Sequence, residues 1–233
     1  MVKGKKITRR QIKQPDEFIS ITEHALLFVR DHLKKIAVGV GIIVVIVAAF
    51  VLFRVWEEKK ENEASQRLNL AMETVQRVNS PYREGSPVEY KNALAKMEEM
   101  VKAFPRTSSG TFALLYKGNI HLKLGEFDEA IKAYDAFLAK SGSERLYTLL
   151  ALEGIGYAYE GKKDYGKAIE ACQRIVAMDQ GFQAREARLQ MGYCYEKLGK
   201  SKEAVENYRA YLEGTQKSSM THLVLRKISL LEK

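Results

Sequence analysis

The sequence predicts an all-α protein with one N-terminal transmembrane helix, followed by an α-solenoid of about four helical hairpins and a C-terminal capping helix. Two features of the 233 residues predict this class: an apolar stretch at 36–53 and, after it, a segment that repeats every 36 to 38 residues. Repeats of that length are typical of hairpins that bury their apolar faces against one another. We therefore divide the chain into a cytoplasmic segment (1–35), a transmembrane helix (36–56) and an extracytoplasmic repeat domain (57–233).

The cytoplasmic segment is basic and carries a helical pattern. Nine Lys and Arg residues stand against four Asp and Glu residues before the span, so the positive-inside rule places the N-terminus in the cytoplasm. The apolar residues between Pro15 and the span predict an amphipathic helix in the membrane interface, and a docking helix for a protein partner is the alternative. These apolar residues are Phe18, Ile21, Ala25, Phe28 and Val29. We expect residues 16–56 to contact membrane lipids.

The apolar stretch predicts a membrane span. Its eighteen residues contain no charged side chain, and as a helix it extends roughly 27 Å, or about 31 Å when continued to Trp56, close to the thickness of the bilayer core. A buried helix of that length normally shows a polar face. A cleaved secretory signal is the alternative, but its apolar run is shorter and precedes the cleavage site, whereas Ala48 and Ala49 lie inside this run.

The repeat domain begins and ends with segments that cover its core. After the span, an apolar seam is predicted to pack on a helix at 86–104, across a loop that contains Pro81, Gly85 and Pro87. The seam consists of Ala64, Leu68, Met72, Val75 and Val78. At the other end, a predicted capping helix covers the last repeat with Leu223, Val224, Ile228 and Leu231.

Three copies of the repeat align on small residues. Gly118, Gly156 and Gly192 recur inside predicted helices, where glycine costs about 1 kcal/mol relative to alanine. The simplest reason is that a larger side chain of the paired helix needs the space, and the register assigns Tyr134, Cys172 and Tyr208 to that role. Gly125 and Gly199 supply the turns between paired helices, and Lys163 takes this place in the middle copy.

These marks resemble those of the tetratricopeptide repeat, over roughly residues 60–233. Its glycine, aromatic, turn-glycine and alanine positions correspond here to Gly118, His121, Gly125 and Ala130, to Gly156, Tyr159, Lys163 and Ala168, and to Gly192, Tyr195, Gly199 and Ala204. His121 and Lys163 depart from the pattern, and the early tryptophan position holds Leu114, Leu152 and Arg188. The resemblance implies a domain that binds proteins.

The order of segments resembles the bacterial membrane proteins grouped with the ancillary subunit of the Sec translocon. That resemblance implies a single-pass inner-membrane protein with a periplasmic repeat domain, a scaffold or chaperone-like adaptor beside the translocon, periplasmic folding factors or exported chains. An adaptor for envelope synthesis or cell division is the alternative. The formal net charge of +9 is concentrated before the span, and the weak balance elsewhere argues against a nucleic-acid partner.

No enzyme, cofactor or metal site is predicted. The four histidines are scattered along the chain without metal-ligand spacing or a nucleophile. The sequence Gly154-Ile155-Gly156 lies inside a repeat helix, where packing explains it better than phosphate binding. An enzyme with a composite site is the remaining catalytic alternative. For Cys172 and Cys194, two buried thiols are favoured over a disulfide, which an oxidising periplasm would allow.

The predicted functional surface is the concave face formed by the first helix of each hairpin. By the repeat register it presents Leu115, Asn119, Leu122, Glu153, Tyr157, Glu160, Leu189, Tyr193 and Glu196. Tyrosines beside carboxylates suit an extended peptide or partner helix with apolar anchors and some positive charge. Alternatively, Tyr157 and Tyr193 pack within the solenoid. A clamp for a partner's terminal carboxylate is disfavoured because Leu115 stands where a lysine would be needed.

Overall fold

The computed structural model of the protein describes residues 17–78, 85–140, 144–213 and 219–233, and these residues form helices and no strands. The nine described helices are α1 (Glu17–Val78), α2 (Pro87–Ala103), α3 (Ser108–Leu124), α4 (Phe127–Leu138), α5 (Arg145–Gly161), α6 (Tyr165–Met178), α7 (Phe182–Lys197), α8 (Ser201–Leu212) and α9 (Ser219–Leu231). The chain falls into two compact units that divide between Glu58 and Lys59. The predicted all-α class is confirmed.

The first unit contains the N-terminal part of α1. An 18-residue window in this helix has a mean hydropathy of 3.2 and no buried residue, so the segment is long and apolar enough to cross a membrane. The predicted amphipathic helix and the predicted span are continuous, since α1 runs through both. No proline interrupts it, and Gly39 and Gly41 lie within the helix without ending it. Phe18 and Ile21 belong to α1, but their side chains lie outside the described set.

The second unit begins with the predicted first hairpin. The seam residues of α1 pack with α2 and α3: Ala64, Val75 and Val78 are buried, and Leu68 and Met72 are partly buried in the same cluster. This prediction is confirmed. The seam also includes Ala71, which the sequence reading omitted. Of the predicted loop residues, Pro81 lies outside the described residues, whereas Pro87 opens α2 behind a capping box formed by Ser86 and Glu89.

A carboxylate of α1 caps the next hairpin. Glu61 accepts hydrogen bonds from the backbone N–H groups of Ser108 and Ser109, at 2.6 and 3.0 Å, and from the Ser109 hydroxyl at 2.7 Å. These donors belong to the first turn of α3, where backbone N–H groups lack helical partners. The cap therefore joins two segments more than 45 residues apart in sequence.

The three aligned hairpins are α3/α4, α5/α6 and α7/α8, and each turn contains one left-handed residue. Gly125, Lys163 and Gly199 have φ values of 73°, 61° and 70°. Lys163 is the one described non-glycine residue with positive φ, as its place in the repeat predicted. A side chain in this region costs about 1–2 kcal/mol.

The helical glycines confirm two of the three predicted close approaches. A Cβ on Gly118 would lie 2.6 Å from Cε1 of Tyr134, and one on Gly192 would lie 2.6 Å from Cδ1 of Tyr208. At Gly156 the nearest atom is instead Oε1 of Gln190, at 3.1 Å, with Sγ of Cys172 at 3.5 Å. The smaller cysteine leaves room that a side chain of α7 occupies.

The C-terminal helix α9 covers the last hairpin. Val224 and Ile228 are buried against Tyr208 and Tyr211 of α8, and Leu231 is partly buried with them, so the predicted cap is confirmed at these positions. Leu223 differs: it is 48% exposed. It lines a cavity together with residues of α5, α7 and α8.

Candidate functional site

The first helix of the second aligned hairpin, α5, carries a largely exposed stripe on the predicted concave face. On α5 the stripe consists of Leu146, Leu150, Glu153 and Tyr157, spaced four, three and four residues apart, which places them on one helical face. Leu146, Leu150 and Tyr157 are 52%, 36% and 43% exposed. Exposed apolar side chains gathered on one face are typical of protein-binding surfaces.

Helices α5, α7, α8 and α9 enclose a cavity of about 230 Å³ on this face, which we call the groove. Four of the predicted residues line it together: Tyr157, Glu160, Leu189 and Tyr193. Residues of α8 and α9, which the repeat register did not predict, also line it. The additional lining residues are Glu186, Gln190, Tyr208, Met220, Leu223, Val224 and Lys227.

The three predicted residues of α3 do not line the groove. Leu115 is 4% exposed and belongs to the core cluster of α3, α4 and α5, so it presents no surface to a partner. Asn119 is exposed, and its Oδ1 accepts a hydrogen bond of 2.6 Å from the Tyr134 hydroxyl. Leu122 is partly buried against the same cluster.

The predicted residue Glu196 links three helices beside the groove. Its Oε2 atom accepts hydrogen bonds of 2.7 Å from the Tyr208 hydroxyl of α8 and from Nζ of Lys227 on α9. The ammonium group of Lys227 also lies 5.8 Å from the Tyr193 ring centroid and 5.9 Å from that of Tyr208, within cation–π range. Burial opposes ionisation of Glu196, but the bonds from Lys227 and Tyr208 outweigh it and lower its pKa.

A second polar chain positions Glu160. The Cys172 thiol donates to Oε1 of Gln190 at 3.2 Å, and Nε2 of Gln190 donates to Oε2 of Glu160 at 3.0 Å. Both cysteines are buried and free of a disulfide, the arrangement favoured from the sequence. Burial raises the pKa of Cys172, and burial and then Glu160 raise that of Cys194 to about 12. Neither thiol is therefore an ionised nucleophile at neutral pH.

Three carboxylates influence the ionisation of Tyr157. Burial, and then the charge of Glu186, raises the pKa of Glu153. Burial, followed by the carboxylates of Glu153, Glu160 and Glu186, raises the pKa of Tyr157 to about 12. The two helices α5 and α7 thus bring three carboxylates towards one tyrosine.

The described residues contain no group of three His, Cys, Asp or Glu side chains that could hold a metal ion. His121, a departure from the repeat pattern, is buried in α3, where its Nδ1 atom lies 2.7 Å from Oε2 of Glu126. Its Nε2 atom has no hydrogen-bond partner. His121 therefore serves the packing of its hairpin and does not extend the groove.

Stacked hairpins around a groove define a helical-repeat protein of the kind that typically acts as a non-enzymatic scaffold for protein partners. The chain belongs to the tetratricopeptide repeat-like domain family, whose model matches residues 28–233. No curated protein sequence matches the chain.

Solved structures share the fold. A tetratricopeptide repeat protein from Parabacteroides merdae ATCC 43184 is 16% identical with a TM-score of 0.59, over 73% of this chain and 60% of that one. MamA from Desulfovibrio magneticus RS-1, from residue 41 to its end, is 20% identical with a TM-score of 0.53, over 68% and 78% of the two chains. At such identities the likeness extends to the fold alone.

Proposed function

We propose that the protein is a membrane-anchored, non-enzymatic scaffold or chaperone-like adaptor that holds partner proteins in the groove. The observation that carries this proposal is the groove itself, where Tyr157, Leu189 and Tyr193 gather beside Met220 and Leu223 in one cavity. Rigid aromatic side chains that lose little entropy on binding are typical anchors of protein interfaces. No group with an activated nucleophile accompanies them among the described residues of the groove.

The anchor in this proposal is the apolar part of α1. Its unburied apolar window needs a non-aqueous surrounding, and a bilayer supplies one along the whole length of such a helix. The basic residues before it support a cytoplasmic N-terminus and a periplasmic repeat domain in a bacterial inner membrane. The order of segments supports a place beside the Sec translocon, with periplasmic folding factors or exported chains as partners.

Crosslinking in the membrane followed by mass spectrometry tests both the partner and the surface. A photoactivatable side chain placed at Tyr157, which is 43% exposed, is expected to capture translocon subunits, folding factors or exported chains. Capture of envelope-synthesis or division proteins in their place would contradict the Sec assignment. Capture that is equally efficient from a probe at Val88, an exposed position of α2 outside the groove, would contradict the role of the groove.

Replacing both groove tyrosines tests the binding surface directly. Tyr157→Ala with Tyr193→Ala is expected to weaken capture of the crosslinked partner about thirtyfold, since central aromatic anchors are worth about 2 kcal/mol or more. Helix content and the melting temperature should change little. The matched control is Leu70→Ala with Val88→Ala, two exposed apolar residues outside the groove. If the double variant does not fold, the two tyrosines are required for the stability of the domain. If it folds and binds the partner with normal affinity, the groove is not the binding surface.

A further inference from the structure

The groove contains one cation-binding arrangement that the chain itself fills. Tyr193 and Glu196, three residues apart on α7, hold Lys227 of α9: the ammonium group donates to Glu196 at 2.7 Å and lies 5.8 Å from the Tyr193 ring centroid. The Tyr208 hydroxyl, which also bonds to Glu196, completes the arrangement. A carboxylate beside an aromatic face is a favourable environment for an ammonium or guanidinium group.

The same pair of side chains occurs one repeat earlier, where no Lys or Arg among the described residues pairs with it. Tyr157 and Glu160 have the spacing of Tyr193 and Glu196, and both pairs lie four residues or fewer after the aligned glycines Gly156 and Gly192. The place that Lys227 takes at Glu196 is taken at Glu160 by Gln190, whose side-chain amide carries no charge. Glu160 accepts its described hydrogen bond from the neutral amide of Gln190.

Two further carboxylates increase the negative charge at this place. Glu153 and Glu186 form no ion pair with any residue that the structure describes. Glu153 is partly buried, and both burial and the charge of Glu186 disfavour its ionised form. Glu186 lines the groove, and Glu153 lies outside its lining, one helical turn before Tyr157 on α5. Uncompensated carboxylates beside a cleft with exposed apolar groups are typical of a site that a ligand of opposite charge completes.

The apolar surroundings limit what that ligand is. Met220 and Leu223 are 42% and 48% exposed beside Tyr157, and a cavity of about 230 Å³ accommodates one or two large side chains. A free metal or polyamine cation would leave these groups in water. A protein segment with a cation next to an apolar side chain would cover them.

We propose that the groove binds a segment of a partner protein that places a lysine or arginine on Tyr157 between Glu153, Glu160 and Glu186, and a neighbouring apolar side chain in the cavity beside Leu189. This inference rests on the proposed function, in which the groove binds protein, and adds the chemical class of the bound segment. The cation supplies beside α5 the positive charge that Lys227 supplies beside α7 and that the neutral Gln190 lacks.

Selection of a phage-displayed library of random twelve-residue peptides against the full-length protein in lipid nanodiscs tests this inference. Enriched peptides are expected to carry Lys or Arg next to a large apolar residue. The double substitution Glu153→Gln with Glu186→Gln should lower the affinity for a selected peptide about tenfold, which is the usual scale for the loss of a charge-assisted contact. Raising the salt concentration should weaken binding to the wild type more than to this variant.

The matched control is Glu170→Gln with Glu203→Gln, which removes two exposed carboxylates from second helices outside the groove and should leave binding unchanged. Enriched apolar peptides without cations that need Tyr157 and Tyr193 would overturn the inference and leave the proposed function standing. The inference would also be overturned if cationic peptides bound the Glu153→Gln, Glu186→Gln variant with the same affinity as the wild type. Peptides that bind the Tyr157→Ala, Tyr193→Ala variant normally would overturn the inference and the proposed function together.

Discussion

Neighbouring repeats fill the same helix contact with side chains of different size, and a smaller residue on one helix is matched by a larger residue on another. The ring of Tyr134 lies against Gly118 of its own hairpin and against Gly154 of the next, where a Cβ would overlap it. One repeat later the tyrosine is replaced by Cys172 and the second glycine by Gln190, whose amide bonds to the thiol at 3.2 Å. Because interiors are close-packed, the loss of volume at one position is matched by a gain at the other.

This exchange predicts different outcomes for alanine at two equivalent glycines. Both substitutions gain about 1 kcal/mol of helix propensity. At Gly192 the new Cβ would lie 2.6 Å from Tyr208, so overpacking should give a net loss of about 1–2 kcal/mol in the free energy of unfolding. At Gly156 the nearest atom, in Gln190, is 3.1 Å away, and Gly156→Ala should be close to neutral.

Urea denaturation followed by circular dichroism measures both changes. Gly156→Leu serves as the overpacked reference at the second position, because its longer side chain exceeds the available space, and should cost about 1–3 kcal/mol. Equal stabilities of Gly192→Ala and Gly156→Ala would show that the Tyr208 contact is not limiting.

A second prediction concerns the stability cost of Glu153. Its pKa is raised in the folded state by burial and by Glu186, so the folded state binds a proton more tightly than the unfolded chain does. This contribution to stability is present at low pH and is lost as the pH rises through the folded-state pKa. Glu153→Gln should therefore increase stability at pH 7 by a few tenths of a kcal/mol, with the gain disappearing in acid.

Melting temperatures from pH 4 to pH 8 measure this effect, with Glu170→Gln as the exposed control. A Glu153→Gln variant that is less stable than the wild type at pH 7 would contradict it. If substitution of Glu153 raises the melting temperature and also lowers the affinity for the selected peptides, the carboxylate serves binding at the expense of stability.

At the scale of elements, the turns repeat one backbone conformation. Gly125, Lys163 and Gly199 occupy the left-handed region at matched places between paired helices. The repeat alignment predicted all three, because the need for a left-handed residue comes from the local hairpin geometry. The side chain at Lys163 is the exception to the glycine rule, and it bears the steric cost of that conformation.

Lys163→Gly should therefore stabilise the repeat domain. Relief of the left-handed strain exceeds the entropy that glycine adds to the unfolded chain, and the net gain should be about 0.5–1 kcal/mol. The reverse change, Gly199→Lys at the equivalent turn, should cost a similar amount. Chemical denaturation of both variants measures the difference, and a stability loss in Lys163→Gly would mean that the lysine side chain contributes contacts that outweigh the strain.

The sequence predicted the elements better than their long-range partners. Helical periodicity and turn residues depend on neighbours in the chain, and they placed the four hairpins and the apolar seam of α1 correctly. The Glu61 cap on α3 joins segments more than 45 residues apart, and no local signal marks it. The burial of Leu115, which was predicted to line the binding surface, depends on packing between hairpins.

The part played by α9 in the groove also escaped prediction. Its apolar spacing identified a cap, and Val224 and Ile228 do cover α8. Another face of α9 lines the groove with Met220, Leu223 and Lys227. This arrangement depends on how the helix stack continues beyond the third aligned copy of the repeat. The 36-residue spacing between Tyr157 and Tyr193 leads next to Ser229 and not to Lys227, so the repeat alignment carries no signal for this lysine.

At the scale of the whole molecule, the chain combines an unburied apolar helix with a repeat domain that has its own core. The topology proposed for it places charges on opposite sides of a bilayer: the basic segment stays in the cytoplasm, and the groove faces the periplasm. The proposed topology restricts the possible partners, because only exported or periplasmic chains would have access to a groove that binds cationic segments.

Cysteine labelling in intact spheroplasts tests this topology. Arg9→Cys should be shielded from a membrane-impermeant maleimide, whereas Lys200→Cys, at an exposed position of the α7–α8 turn, and Gln216→Cys should react; Arg9 and Gln216 lie outside the described residues. The native Cys172 and Cys194 are fully buried, so the wild-type protein supplies a low background. Detergent should make Arg9→Cys reactive, because the span keeps the basic segment attached. The reverse labelling pattern would invert the orientation, and loss of the Arg9→Cys signal even in detergent would show that the segment is cleaved as a secretory signal.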